Sequence, residues 1–201
     1  MITIVELRDA LKRLAAGMEA CADELNTLDG ALGDGDIGVT MVRGCRQILD
    51  VLDDLPDDIG MAFMKCAQAF TKTSGSSYGT LLATGLMAVA KKKRGSLSID
   101  DSEFPDLLQV SSAAMMARGK ASLGDKTVLD AVDAARTGIA EADVNHMESA
   151  IASVKQALDE FRCRENKVGR ARIFAEKSVG LDDPGMIAFL RILESLRKKG
   201  S

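Results

Sequence analysis

The feature that most narrows the possible folds is the spacing of apolar residues, which recur every third or fourth position along much of the chain. Ile4, Leu7, Leu11, Leu14, Met18, Cys21, Leu25 and Leu28 form the first stripe, and a 3.6-residue period places all of them on one face of one long helix. Shorter stripes follow at Met41, Cys45, Ile48 and Leu52; at Leu81, Leu82, Leu86 and Val89; and at Leu129, Val132, Ala135 and Ile139. Two more run through Met147, Ile151, Val154, Leu158 and Phe161, and through Met186, Phe189, Leu190, Leu193 and Leu196. With two shorter segments near residues 59–71 and 104–118, the pattern predicts about eight helices. No alternating Val/Ile/Thr run bounded by hairpin turns competes with them. The expected fold class is all-α.

At 201 residues and 46% hydrophobic, the chain suffices for one sizeable core, and residues 1–201 are expected to form one domain. A net charge of -4 without a basic stripe argues against nucleic acid as a partner. No apolar stretch approaches the roughly 20 residues that a membrane span needs. Cys21, Cys45, Cys66 and Cys163 show no CxxC spacing and no leader precedes them, so the expected compartment is the cytoplasm. The Lys91-Lys92-Lys93-Arg94 run and the Arg197-Lys198-Lys199 tail read as cations at helix C-termini, where the dipole favours them. Ten methionines read as an adaptable core. His146, the only histidine, sits among Asp143, Asn145 and Glu148 and reads as exposed, a poor general base or metal ligand.

Four connections carry more Gly, hydroxyl and charged residues than a helix turn requires: Asp29 to Thr40, Thr71 to Thr80, Gly119 to Thr127, and Gly169 to Gly185. Alternate connections of a helical bundle emerge at one end, so these could converge on one site. In the first, Asp34 and Asp36 flank Gly35, and Asp29 closes the preceding helix. Three carboxylates brought together repel unless a cation neutralises them, which implies a hard, oxygen-preferring ion. Calcium in an EF-hand fails the register: a loop starting at Asp34 puts Gly38 at the fifth position, Val39 where the turn glycine belongs and Cys45 where the bidentate glutamate belongs. Magnesium, which takes a few carboxylates plus phosphate oxygens and water, fits better. Ile37-Gly38-Val39-Thr40 then opens a helix, whose N-terminal amides and dipole suit an anion.

The third connection, GKASLGDKT, mimics a P-loop, but Asp125 stands where lysine must follow Gly124, and the residues before it read as helix, not strand. Asp125 or Thr127 is instead expected to cap the next helix, and Gly119 to admit a close backbone approach by a ligand. In the second, Thr71, Thr73, Ser74, Ser76 and Ser77 taken alone read as caps and turns. In the fourth, Arg170 or Arg172 could serve a phosphate or merely a surface carboxylate, and Pro184 suits the first position of the last helix.

Taken in order, LNTLDGALGDGDIGVTM, TSGSSYGT, GKASLGDKTVLDA and GRARIFAEKSVGLDDPG resemble the nucleotide-binding subunit of dihydroxyacetone kinases, the DhaL or Dak2-type domain, over roughly residues 4–197. The resemblance implies an eight-helix antiparallel up-and-down α-barrel that binds ADP or ATP and two magnesium ions at one end. It implies Asp29, Asp34 and Asp36 as magnesium ligands and Ile37, Gly38, Val39 and Thr40 as the phosphate-contacting turn. It further implies Thr73, Ser74, Gly119, Val128, Arg170, Asp183, Pro184 and Gly185 as nucleotide-contacting positions, with Arg170 as the catalytic cation. In the family the sugar is held through a histidine on a separate substrate-binding subunit. The phosphoryl donor is either a phosphohistidine protein that recharges bound ADP or exchangeable ATP; the resemblance also allows a non-catalytic protein that signals its nucleotide state to a transcription regulator. This chain departs from the family pattern at Ile37, where histidine is common, and at Ser76-Ser77, where Pro-Leu is common. Ile37 leaves a backbone N–H but no imidazole for phosphate.

Overall fold

The computed structural model describes residues 1–72 and 75–198. Its α-helices are α1 (Ile4–Ala20), α2 (Ala22–Leu32), α3 (Ile37–Leu49), α4 (Ile59–Thr71), α5 (Ser77–Lys92), α6 (Phe104–Gly119), α7 (Val128–Glu141), α8 (His146–Arg162) and α9 (Pro184–Leu196). Two 3-10 segments, Asp101–Glu103 and Ala171–Ser178, precede α6 and α9. Extended pairing among the described residues is confined to one antiparallel bridge, Ile2 with Ile99.

The helices start where local chemistry can satisfy their free amides. Thr3 and Glu6 form a capping box on α1, and Thr127 and Asp130 form another on α7. Asp58 and Asp183 accept hydrogen bonds from Met61 and Met186 at 2.9 Å, capping α4 and α9. Pro105 and Pro184 stand in the first turns of α6 and α9, where proline loses nothing.

The expected single first helix is in fact two, because Cys21 leaves helical geometry at φ -107 and ψ 8. The apolar stripe runs on through Leu25, so the periodicity hides a bend that redirects α2 against α3. Counting α1 and α2 as one bent rod recovers eight rods. Each packs on the next, and α9 returns to α1, closing the ring. Consecutive rods run antiparallel, so the α2–α3, α4–α5, α6–α7 and α8–α9 connections share one end.

Residues from every α-helix join one contiguous core. Met18, Met41, Met115 and Met186 are fully buried within it, in keeping with the expected use of methionine. Each large apolar side chain so buried contributes roughly 1.5–3 kcal/mol, whereas ion pairs such as Arg191–Glu24, half-exposed between α9 and α2, contribute about 1 kcal/mol at most. The ring is therefore held by its apolar lining. Within the lysine run, Lys92 pairs with Asp106 at 2.9 Å and the buried Lys93 with Glu103 at 2.7 Å, tying α5 to the start of α6. No helix among the described residues is long and apolar enough to cross a membrane.

Candidate nucleotide and metal site

The α2–α3 connection turns back on itself at Gly35, whose φ of +74 suits glycine. That reversal brings one carboxylate oxygen from each of Asp29, Asp34 and Asp36 within 4.8 Å of the others. Asp29 is buried, and its Oδ2 accepts hydrogen bonds from the amides of Asp36 at 2.9 Å and Ile37 at 3.4 Å. Burial first, then the charges of Asp34 and Asp29, push the Asp36 carboxyl above its ordinary value, against the pull of Arg170 and Arg43. Arg170 reaches across from the α8–α9 connection to pair with Asp34.

The first turn of α3 differs from the expectation of free amides. Ile37 donates to Asp29, Val39 donates to Asn26 Oδ1 at 3.1 Å, and Thr40 donates to the Asp36 carbonyl at 2.8 Å. Side chains of α2 thus occupy donors that sequence reasoning assigned to phosphate. They do so because α2 and α3 lie so close that a Cβ at Gly38 would meet the Ala22 carbonyl oxygen at 2.1 Å. The positive end of α3 favours the Asp29 carboxylate that sits against it.

A cavity of about 550 Å³ opens where the four connections meet, within the usual range for a small-ligand site. Asp29, Asp34, Asp36, Ile37, Gly119, Val128, Arg170, Asp183, Pro184 and Gly185 all line it. Gly38, Val39 and Thr40 do not: Gly38 and Thr40 are buried behind the wall and Val39 is exposed. Thr73 and Ser74 lie outside the described residues. Its lining combines the carboxylates and Arg170 with the apolar Leu81, Ala121, Val128, Leu129, Val168 and Pro184.

Several wall residues escaped the sequence reading. Tyr78, the only tyrosine, donates its hydroxyl to the Gly185 carbonyl at 3.2 Å and ties α5 to α9; burial pushes its phenol upward. Arg118 adds a second guanidinium to the wall. Of the two candidate caps, Thr127 serves α7 while Asp125 accepts from the Ser122 amide at 2.8 Å within the turn. The segment before that turn is α6, so the P-loop mimic is excluded on structure as well. His146 is half-buried rather than exposed, with Nδ1 3.2 Å from the Ile139 carbonyl; this contact between α7 and α8 lies away from the cavity lining.

Asp183 is buried at the α9 cap, accepting from the Met186 amide at 2.9 Å and from Asn166 Nδ2 at 2.7 Å. Burial outweighs those hydrogen bonds and pushes its carboxyl up to about 6. The folded protein therefore holds this proton more tightly than the unfolded chain, whose carboxyl titrates near pH 4. The associated stability is present below about pH 4 and is lost as pH rises to about 6. Asp183→Asn keeps a capping oxygen and removes the titration. Denaturant unfolding at several pH values is expected to show the stability gap between variant and wild type widening in the variant's favour from about pH 4 to 6.

Comparison with known proteins bears on the fold and then on the family. The structure is similar to that of dihydroxyacetone kinase from C. freundii in complex with AMP-PNP and Mg2+, with a TM-score of 0.73 and 23% identity over 94% of this chain and 33% of that one. Among curated relatives, the chain is 30% identical to "PEP-dependent dihydroxyacetone kinase 2, ADP-binding subunit DhaL" of Listeria innocua, over 94% of this chain and 93% of that protein. It is 24% identical to "PEP-dependent dihydroxyacetone kinase, ADP-binding subunit DhaL" of Escherichia coli, over 87% of each. L-erythrulose 1-kinase of Mycolicibacterium smegmatis is 28% identical over 94% of this chain, which spans only 35% of that longer protein. Residues 31–198 match the DAK2 domain, and the chain belongs to that family.

Proposed function

We propose that this chain is the nucleotide-binding component of a dihydroxyacetone-type kinase. It holds ADP or ATP with magnesium in the cavity and serves phosphoryl transfer to a short keto-sugar carried by a separate substrate-binding subunit. The observation that carries this reading is the convergence of three carboxylates, Arg170 and a set of apolar side chains in one cavity. The near end-to-end match to two subunits named ADP-binding supports it.

The donor set fits a hard divalent cation: oxygen ligands only, close enough to repel, with Asp36 raised by its neighbours. Asp29, Asp34 and Asp36 would hold magnesium, two ions when a nucleotide is present. Bound there, magnesium neutralises charge on the phosphoryl oxygens. Arg170 contributes a fixed positive charge beside the same oxygens, in a site where positioning and electrostatics supply most of the rate. Leu81, Val128, Leu129 and Val168 offer an apolar slot for a purine ring and keep water from it. Asp183 to Gly185 hold the far wall through the α9 cap and the Tyr78 hydrogen bond.

Relatives of two kinds, subunits named for phosphoenolpyruvate dependence and erythrulose kinases or a triokinase, motivate two donors. We favour a phosphohistidine protein that recharges resident ADP. Mass spectrometry of the purified protein after extensive washing is expected to find ADP retained; free exchange of nucleotide would favour ATP as the donor. Calorimetry on protein first stripped of nucleotide that detects no binding of either nucleotide with magnesium sinks the assignment.

A further inference from the structure

Lys126 heads the fully buried side chains of the described residues, and nothing in the proposed chemistry uses it. It stands in the α6–α7 connection with a left-handed φ of 60. Its Nζ donates to the carbonyl oxygens of Arg164 and Ser178, each at 2.8 Å, and of Arg162 at 3.3 Å. Three acceptors match the three N–H donors of an ammonium, whereas a neutral amine offers two. Burial lowers the proton affinity of this group, and Asp183 and Asp182 oppose that loss. A buried cation held by carbonyls is costly in isolation, so the geometry it secures is informative.

The three carbonyls belong to the two ends of one stretch. Arg162 closes α8, and Ser178 closes the 3-10 segment before α9. Between them lie Val168, Gly169, Arg170 and Ala171 of the cavity wall. The Lys126 backbone reinforces the grip: its carbonyl accepts from Asn166 Nδ2 at 2.7 Å, and the same nitrogen donates to Asp183 at 2.7 Å. The Asn166 amide donates to Ser178 Oγ at 2.9 Å, and the Lys167 amide to the Asp125 carbonyl at 3.1 Å. Two other ties, Gly180 N to the Arg162 carbonyl at 2.8 Å and the Arg162–Asp182 ion pair at 2.9 Å, close the stretch on itself without reaching the α6–α7 connection. They hold its shape; besides the exposed Arg170–Asp34 pair, the buried Lys126 region holds its place.

We infer that Lys126 is a positioning residue whose ammonium clasps both ends of the 162–178 stretch and so sets where the Arg170-bearing wall stands against the carboxylate cluster. This rests on the proposed function for its effect on nucleotide, and not for the clasp itself.

Hydrogen exchange of the full-length protein without nucleotide, followed by titration with magnesium and either ADP or adenosine, tests it on Lys126→Met and Asn166→Ala. Lys126→Met is expected to speed exchange across 163–180 by about tenfold or more while α3 to α5 keep wild-type protection. ADP affinity should fall by about tenfold, and adenosine affinity much less, because Arg170 serves the phosphates. Asn166→Ala, which keeps the ammonium, should follow the same pattern at smaller size. Wild-type exchange in 163–180 in Lys126→Met overturns the clasp, as does loss of protection around the whole ring. Faster local exchange with unchanged ADP affinity, or with equal losses for ADP and adenosine, overturns the positioning role. A wild-type protein that binds no nucleotide defeats the proposed function, and the exchange measurement still decides the clasp.

Discussion

Asp36→Asn is expected to abolish magnesium-dependent nucleotide binding and, at the same time, to make the metal-free protein slightly more heat-resistant. Both effects follow from one geometry. Three carboxylate oxygens within 4.8 Å of each other form a strong site for a divalent cation and a poor arrangement without one. At Asp36, burial and then the charges of Asp34 and Asp29 raise the proton affinity. Converting it to an amide relieves repulsion worth about 1 kcal/mol after solvent screening, which for a chain of this size raises Tm by about 2–4 °C. The same change removes one anionic ligand, and affinity for magnesium nucleotide should fall by at least about 100-fold. Asp34→Asn should lose binding likewise, with a smaller gain in Tm because the pair with Arg170 goes too. Scanning fluorimetry and calorimetry, with and without magnesium and ADP, read both quantities. Wild-type-like binding in both variants would sink the metal assignment.

What sequence could reveal here depended on how far apart the interacting residues stand. Asp29, Asp34 and Asp36 lie within one short stretch, so their convergence needed only a tight turn, which Gly35 supplies. The helices were legible for the same reason: each stripe is a local pattern that burial then rewards. The break at Cys21 was not, because the apolar stripe passes through it unchanged and only the packing of α2 on α3 reveals it. That bend also accounts for the partner of the Val39 amide, since its hydrogen bond to Asn26 depends on α2 turning against α3. Lys126 was illegible for a different reason. Lysine is expected at surfaces, and its three acceptors lie 36, 38 and 52 residues downstream. The fourth connection offered Arg170 and Arg172 alike and only the resemblance chose between them; the partner Asp34 is too distant in sequence for any spacing rule to pair with Arg170.

Arg170→Gln should slow phosphoryl transfer by about 10²–10³-fold while leaving the fold intact. Its guanidinium is 63% exposed and its pair with Asp34 is open to solvent, so the contact contributes about 1 kcal/mol at most to stability and Tm should barely move. The arginine and a metal ion compete for the same carboxylate, so the variant should bind magnesium somewhat more tightly in the absence of nucleotide. With nucleotide present the order reverses: ADP affinity should fall a few-fold, because a fixed charge beside the phosphates is gone, and the larger loss should appear in the transfer rate. Arg170→Lys restores charge without the planar fork and should recover only part of that rate. Single-turnover transfer, measured with the substrate-binding subunit present, separates these effects from binding. A glutamine variant that transfers at the wild-type rate removes Arg170 from the chemistry and leaves it as a surface partner of Asp34.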